Sequence, residues 1–378
     1  MSKKVRHILV TAVITFILTA MLTFAFAAIY FLKTSDSMKI RILDKYLETM
    51  YYGEYNKDHA MEQAYKGYVA SLGDPYTEYF TAKEYDEFNS YMDSSYCGIG
   101  VSVRNETERN VILVDEVFDN SPAKNGGIEA GDIIKKVGEK SYTGAQLNDA
   151  VKAIKGEEGT EVMITIVKGG TGKEKVLNLK RQNVVMDTVE AEIIDGDIGY
   201  IYISQFGNNT ASEFATLFDD INANDIKGLI VDVRNNPGGT TTAVEAVADC
   251  LLPKDSVIYY TSDKSGNKNY VKSKIDGVDI PLVIIANENS ASASEILVGA
   301  IKDNGRGTIV GKKTFGKGVV QTLINLDDGS ALKVTFEKYY TPGGHYIHEK
   351  GIEPDYTVEA DGEKDTQLEK AVEILKKR

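Results

Sequence analysis

After Arg181 short apolar strands and helices alternate along the chain, and this alternation limits the fold more than any other feature of the sequence. Strands are predicted at 198–203, 229–233, 257–260 and 282–286, and helices at 211–223, 242–251 and 293–302. Alternation of this kind implies an α/β core. From Thr308 onward the pattern is mainly strand, closing on a charged helix at 365–376. The chain has 378 residues, too many for one typical domain, so more than one unit is expected.

Two other patterns precede the core. In the stretch 38–52, Ile40, Leu43, Leu47 and Met50 recur at helical spacing, a second helix is predicted over 58–72, and Thr81-x-x-Glu84 is a capping box opening a third. Residues 34–92 therefore read as a small helical unit whose role is packing or pairing with a second copy. From 93 to 180 the pattern is one of short strands and turns: 111–116 and 161–167 as strands, Ser121-Pro122-Ala123 opening a short helix, and a helix near 145–154. The expected division is 1–33, 34–92, 93–180 and 181–378.

The first 33 residues constrain location. Lys3, Lys4 and Arg6 precede an uncharged, mostly apolar run from Ile8 to Leu32. As a helix, such a run reaches roughly 37 Å at ~1.5 Å per residue, enough for a bilayer core of about 30 Å. The positive-inside tendency puts Lys3–Arg6 in the cytoplasm and the rest outside. Two readings remain: a single-pass anchor in the cell membrane, or a cleaved signal peptide ending near Ala25-Phe26-Ala27 that would leave the body secreted.

Net charge is −13, and beyond residue 33 the chain carries 39 cations against 56 acids. A body this acidic repels phosphate backbones, so nucleic acid is excluded as a partner. Two cysteines, Cys97 and Cys250, and four histidines show no metal-ligand spacing, so no metal is expected.

Three segments could carry chemistry. The run Asn287-Glu288-Asn289-Ser290-Ala291-Ser292-Ala293-Ser294-Glu295 joins a predicted strand to a predicted helix. A serine at such a corner can expose its hydroxyl near the positive end of the helix dipole. Ser292-x-x-Glu295 is also a capping box, which leaves open a purely structural reading. The run Gly311-Lys312-Lys313-Thr314-Phe315-Gly316-Lys317-Gly318 approaches the phosphate-loop pattern. It fails at Gly318, which has no hydroxyl, and strand-like residues follow where a phosphate loop opens a helix. A lysine between two glycines can instead be packed closely, lose affinity for its proton and act as a base toward a serine. The turn Asn235-Asn236-Pro237-Gly238-Gly239 is either a tight connection or a place where backbone N–H groups face an oxyanion.

Together these segments resemble the carboxyl-terminal processing peptidases, or tail-specific serine proteases. The resemblance also takes in Gly67-Tyr68-Val69-Ala70-Ser71-Leu72-Gly73-Asp74-Pro75-Tyr76, Tyr96-Cys97-Gly98-Ile99-Gly100-Val101, and the stretch from Ser121-Pro122-Ala123 to Gly131-Asp132-Ile133-Ile134, which looks like a PDZ module. It implies a crotonase-like mixed α/β catalytic core with an inserted PDZ-like domain and an N-terminal helical unit. It implies Ser292 as nucleophile, Lys317 as general base and Gln321 as the residue orienting the lysine, the last two meeting on one strand face. It implies an oxyanion hole from the N–H groups of Gly238 and Ala293, and no cofactor. Substrate tails would place their carboxylate on the amides around Gly98, Ile99 and Gly100, pair as a strand beside Val101, and meet Leu147 and Val151. Partners would be protein or peptide substrates with exposed C-terminal tails, with a homodimer as a further expectation. Lys155-Gly156 departs from the family, where arginine often precedes the glycine. A catalytically idle PDZ scaffold that holds protein C-termini is the alternative, and Ser292, Lys317 and Gln321 occurring together argue against it.

Overall fold

A computed structural model describes residues 3–34, 36–362 and 364–377, leaving aside the side chains of 31–37, so Phe31, Leu32 and Lys33 at the end of the expected anchor lie outside the described side chains. The chain forms two compact units, Met1–Gly73 and Asp74–Arg378.

The first unit is helical. Lys3–Thr34 is one helix whose segment Lys3–Tyr30 has mean hydropathy 2.4, long and apolar enough to cross a membrane. Asp36–Met50 and Lys57–Ala70 follow, close to the expected positions. Ile40, Leu43, Leu47 and Met50 are exposed rather than buried.

The second unit contains a six-stranded sheet in the order Val189–Ile194, Ile198–Ile203, Gly228–Asp232, Leu282–Ala286, Thr308–Gly311, Tyr356–Thr357. The first pair is antiparallel and the rest are parallel. Gly228–Asp232 and Leu282–Ala286 are buried at every position, which is why they read as continuous apolar runs rather than alternating ones. Alternate residues serve two cores. Leu229, Val231, Leu282 and Ile284 pack with helices Thr210–Asn222, Thr241–Leu251 and Ala293–Asp303. Ile230, Val283 and Ile285 meet Ala371 and Leu375 of the helix Thr366–Lys376.

A second sheet carries Glu78–Phe80, Ala331–Tyr340, Val257–Ser262 and Lys268–Lys272, with Val319–Asn325 also paired to Ala331–Tyr340. Residues of the expected N-terminal helical segment thus supply an edge strand here, Tyr79 facing Leu332. A third sheet, Val101–Glu106, Val111–Val117, Ile133–Val137, Glu161–Val167 and Glu174–Lys180, closes around its own core of Ile99, Ile112, Ile134, Ile164 and Ile166. Val101–Glu106 is an edge strand of that sheet. The chain enters this module through Ser95–Gly98 and leaves through Gln182–Val185, and the two strands pair with each other.

Candidate active site

The parallel strands end where the run 287–292 turns into the helix Ala293–Asp303. Its three serines have different fates. Ser290 is buried, donates to the Val233 carbonyl at 2.7 Å and accepts the Asn287 N–H at 2.9 Å. Ser294 is buried and donates to the Asn236 carbonyl at 3.0 Å. Both hydroxyls staple the corner to the neighbouring turn. Ser292 alone is partly exposed, and its backbone sits at φ 56°, a region that costs a residue with a side chain about 1–3 kcal/mol. It directly precedes the helix, whose first N–H groups have no partner within the helix.

Glu295, one turn into that helix, is fully buried. Its Oε1 accepts the Thr314 hydroxyl and the Gly316 N–H, each at 2.7 Å, while Oε2 accepts the N–H of Lys317 at 2.8 Å and of Ser292 at 3.0 Å. One carboxylate therefore joins the serine corner to the lysine loop. Burial pushes the carboxyl above its ordinary pKa, opposed by these four donors. The capping-box spacing found Glu295 but not this reach. A usable signal was an acid within a helix that is buried at every position from Ala293 to Ile301.

Lys317 lies in the loop before Val319–Asn325, not on the strand. Its flanking glycines are pressed against backbone, as the sequence suggested: a Cβ on Gly316 would lie 2.9 Å from the Gly351 nitrogen, and one on Gly318 2.7 Å from that of His348. Burial lowers the Lys317 pKa and the Lys333 charge acts in the same direction, against Glu295 and Asp74. The ammonium stands 5.0 Å from the centroid of the Tyr76 ring and, among the described residues, donates no hydrogen bond.

The shared strand face expected for Lys317 and Gln321 is not observed. Lys317 precedes the strand, and the pairing register shifts between Val320 and Gln321, so alternation does not carry across. Gln321 instead donates to the Thr335 hydroxyl at 3.2 Å. Thr335 in turn bonds Asp74, which accepts the Tyr76 N–H at 3.0 Å. Tyr76 and Asp74 thus act directly on the lysine, with Thr335 linking Asp74 to Gln321, and these were missed because Gly73-Asp74-Pro75 reads locally as a helix stop.

The turn 235–239 also differs from expectation. The Gly238 N–H is donated to Asn236 Oδ1 at 2.8 Å, so as an oxyanion donor it is already engaged. The cause is local turn chemistry, an Asn side chain bonding the backbone two residues on. What Gly238 supplies is proximity: at φ 102°, its missing Cβ would lie 2.8 Å from Ser292 Cβ and 3.0 Å from the Ala293 nitrogen. The fully buried Asn236, which also donates to the Ile203 carbonyl at 2.9 Å, holds this turn and was not singled out. Below it, Arg234 bridges Asp232 of the sheet and Asp365 at the start of the last helix.

Of the expected tail-binding residues, Gly98 ends the entry strand, Ile99 and Gly100 are buried, and Val101 opens the edge strand. Gly100 has φ 80°, and a Cβ there would strike Ser121 at 2.2 Å. Leu147 and Val151 lie on the helix Leu147–Ile154, with Leu147, Val101 and Val103 packed against the same core. No group of three or more His, Cys, Asp or Glu able to hold a metal ion occurs among the described residues.

Comparison with known proteins agrees with this architecture. Residues 197–358 match the model of peptidase family S41, and residues 90–167 match the PDZ domain. A CtpA-like serine protease of Staphylococcus aureus (strain COL) is 35% identical over 93% of this chain and 71% of its own length. One from Staphylococcus epidermidis (strain ATCC 35984) is 34% identical with the same coverage. The structure of the photosystem II D1 C-terminal processing protease matches with TM-score 0.52 and 27% identity, over 91% of this chain and 92% of that one. A PDZ module joined to a mixed α/β core, with a serine corner at the sheet's end and this degree of identity along nearly the whole chain, leaves one assignment: the chain is a serine peptidase of family S41, of the C-terminal processing type.

Proposed function

We propose that the enzyme cleaves peptide bonds with Ser292 as nucleophile and Lys317 as its general base, on protein substrates held by their C-terminal tails. The observation that carries this reading is the unequal treatment of the three serines. Two are consumed as buried staples, and the third is left partly exposed on a strained corner tied through Glu295 to the lysine loop. Neutral Lys317, favoured by burial, takes the proton of Ser292 as its oxygen attacks the scissile carbonyl. The developing oxyanion meets the N–H of Ala293 at the start of its helix, and Lys317 returns the proton to the leaving amine before water releases the acyl group. Lys317 resting over Tyr76 is a state before this step, and Gln321 acts on it through Thr335 and Asp74.

Tails are captured at the amides of 98–100 and pair beside Val101–Glu106, an open sheet edge. The helix Lys3–Thr34 serves as membrane anchor, with the catalytic unit outside the cytoplasm. The exposed apolar face of Asp36–Met50 favours a homodimer. In the test, the full chain in detergent and its Ser292→Ala variant are incubated with an unfolded protein ending in an apolar tail. Cleavage by the parent alone is expected; cleavage by both would dismiss Ser292.

A further inference from the structure

The main-chain groups of Val101, beside the seat expected for a substrate's carboxylate, are already engaged by a side chain of this protein. Tyr96, on the entry strand Ser95–Gly98, turns its ring over Gly98, where a Cβ would lie 2.8 Å from the ring carbon Cε2. Its hydroxyl accepts the Val101 N–H at 3.1 Å and lies 3.4 Å from the Val101 carbonyl, which it faces as donor. The Gly100 amide also faces the phenolic oxygen. These are the groups a tail must use. Val101 opens the edge strand, and its N–H and C=O are the first main-chain pair that an added strand would meet. The Lys155 ammonium stands 5.1 Å from the ring centroid, holding the ring from its face. Tyr96 is half-buried rather than enclosed.

We propose that Tyr96 is the resident occupant of the tail site and sets the threshold for tail selection: its hydroxyl stands in for the substrate's terminal carboxylate and must be displaced before a tail can pair with Val101. This rests on the tail-binding reading above. The exchange is one of hydrogen bonds and needs no covalent step. A charged carboxylate accepts N–H bonds more strongly than a neutral phenol, so a tail with a free carboxylate can win where an internal segment gains little. Because displacement charges every tail the same cost, removing the hydroxyl strengthens all of them by one factor and admits tails otherwise too weak to bind. The position of Tyr96 bears on the core as well. Its strand pairs with Gln182–Val185, and these two strands are the module's connection to the catalytic core, so displacing the ring disturbs that ladder.

The test uses the full chain in detergent, with Ser292→Ala to prevent cleavage, and a fluorescent peptide ending in apolar residues as a free acid or a C-terminal amide. Tyr96→Phe keeps the ring and removes the hydroxyl. It should tighten binding of the free acid about three- to tenfold, the net worth of about one hydrogen bond. Equal affinity of Tyr96→Phe and parent, with the free acid still preferred over the amide, overturns the occupant and leaves the tail site intact. Absence of carboxylate-dependent binding in both overturns the tail site, and the occupant with it. A second measurement on the parent guards against a folding artefact. Hydroxyl-radical footprinting reads the exposure of the Tyr96 ring itself. Saturating free-acid peptide should raise oxidation of Tyr96 as the ring moves into water; unchanged or lowered oxidation with peptide bound overturns the proposal.

Discussion

Replacing Glu295 with Gln tests whether one carboxylate holds the serine corner and the lysine loop together. The carboxylate accepts four donors and, among the described residues, faces no acceptor. An amide turned either way presents its NH2 to two of them, Thr314 with Gly316 or Lys317 with Ser292. Leaving a buried donor unpaired costs about 1–3 kcal/mol, so two cost about 2–6 kcal/mol, a large share of the ~5–15 kcal/mol that holds a typical domain together. A displacement of about 1 Å at the reacting groups can cost 10²-fold in rate. Glu295→Gln should therefore melt several degrees lower and, at a temperature where circular dichroism is native, lose at least about 10² in kcat. KM for a tailed substrate should change little, because the proposed tail-binding residues lie in the PDZ module around the third sheet, apart from the serine corner. A variant with parental melting and kcat would refute the reasoning. That outcome would mean burial had already made the carboxyl neutral, so that an amide reproduces it.

Lys317 has its pKa lowered by burial, so kcat/KM should rise with pH through a midpoint below the ordinary lysine value and then level off; a midpoint at or above that value would contradict a desolvated base. The same shift destabilises the fold wherever the lysine is protonated. Lys317→Met should abolish turnover by about 10³-fold or more. It should also raise the melting temperature at neutral pH, a gain that shrinks as pH climbs through the folded pKa and vanishes above the unfolded one. Gly238→Ala should cost about 2–4 kcal/mol, summing a left-handed backbone with a clash on Ser292 Cβ, and about 10² in kcat; normal kinetics would show that this close approach is dispensable.

How much of this was legible in the sequence depended on distance along the chain. The serine corner was legible because strand, small residues and helix are contiguous, and local signals decide all three. The strand Leu282–Ala286 and the capping of Ala82–Met92 by Thr81 lie where the pattern put them for the same reason. The packing around Lys317 was half legible: adjacent glycines announce close backbone contact but not with what. The surroundings of Lys317 were not legible, because Tyr76 reaches it from some 240 positions away and Asp74 bonds Thr335 across a similar gap. Nothing local distinguishes an Asp-Pro that only ends a helix from one that also leads into an edge strand of the second sheet. The Gly238 expectation failed in the opposite way. The turn was read correctly as a turn, but its own asparagine competes for the N–H that the chemistry was assigned.

The strain at Ser292 shows why the corner needs three serines where the proposed reaction uses one. A residue with a side chain at φ 56° returns to a relaxed conformation unless its neighbours forbid it. Ser290 fixes the approach to the corner by bonding Val233, and Ser294 fixes the exit by bonding Asn236, both on the turn after the adjacent strand. Glu295 then takes the N–H of Ser292 itself. The Ser290 and Ser294 tethers are buried, so breaking either exposes an unpaired group rather than exchanging it for water. The helix behind is packed on all sides, from Ala293 to Ile301, and cannot rotate to relieve the turn. The core thus holds the serine in a position that its own backbone disfavours, and the hydroxyl not consumed as a buried staple is the one the proposed reaction uses.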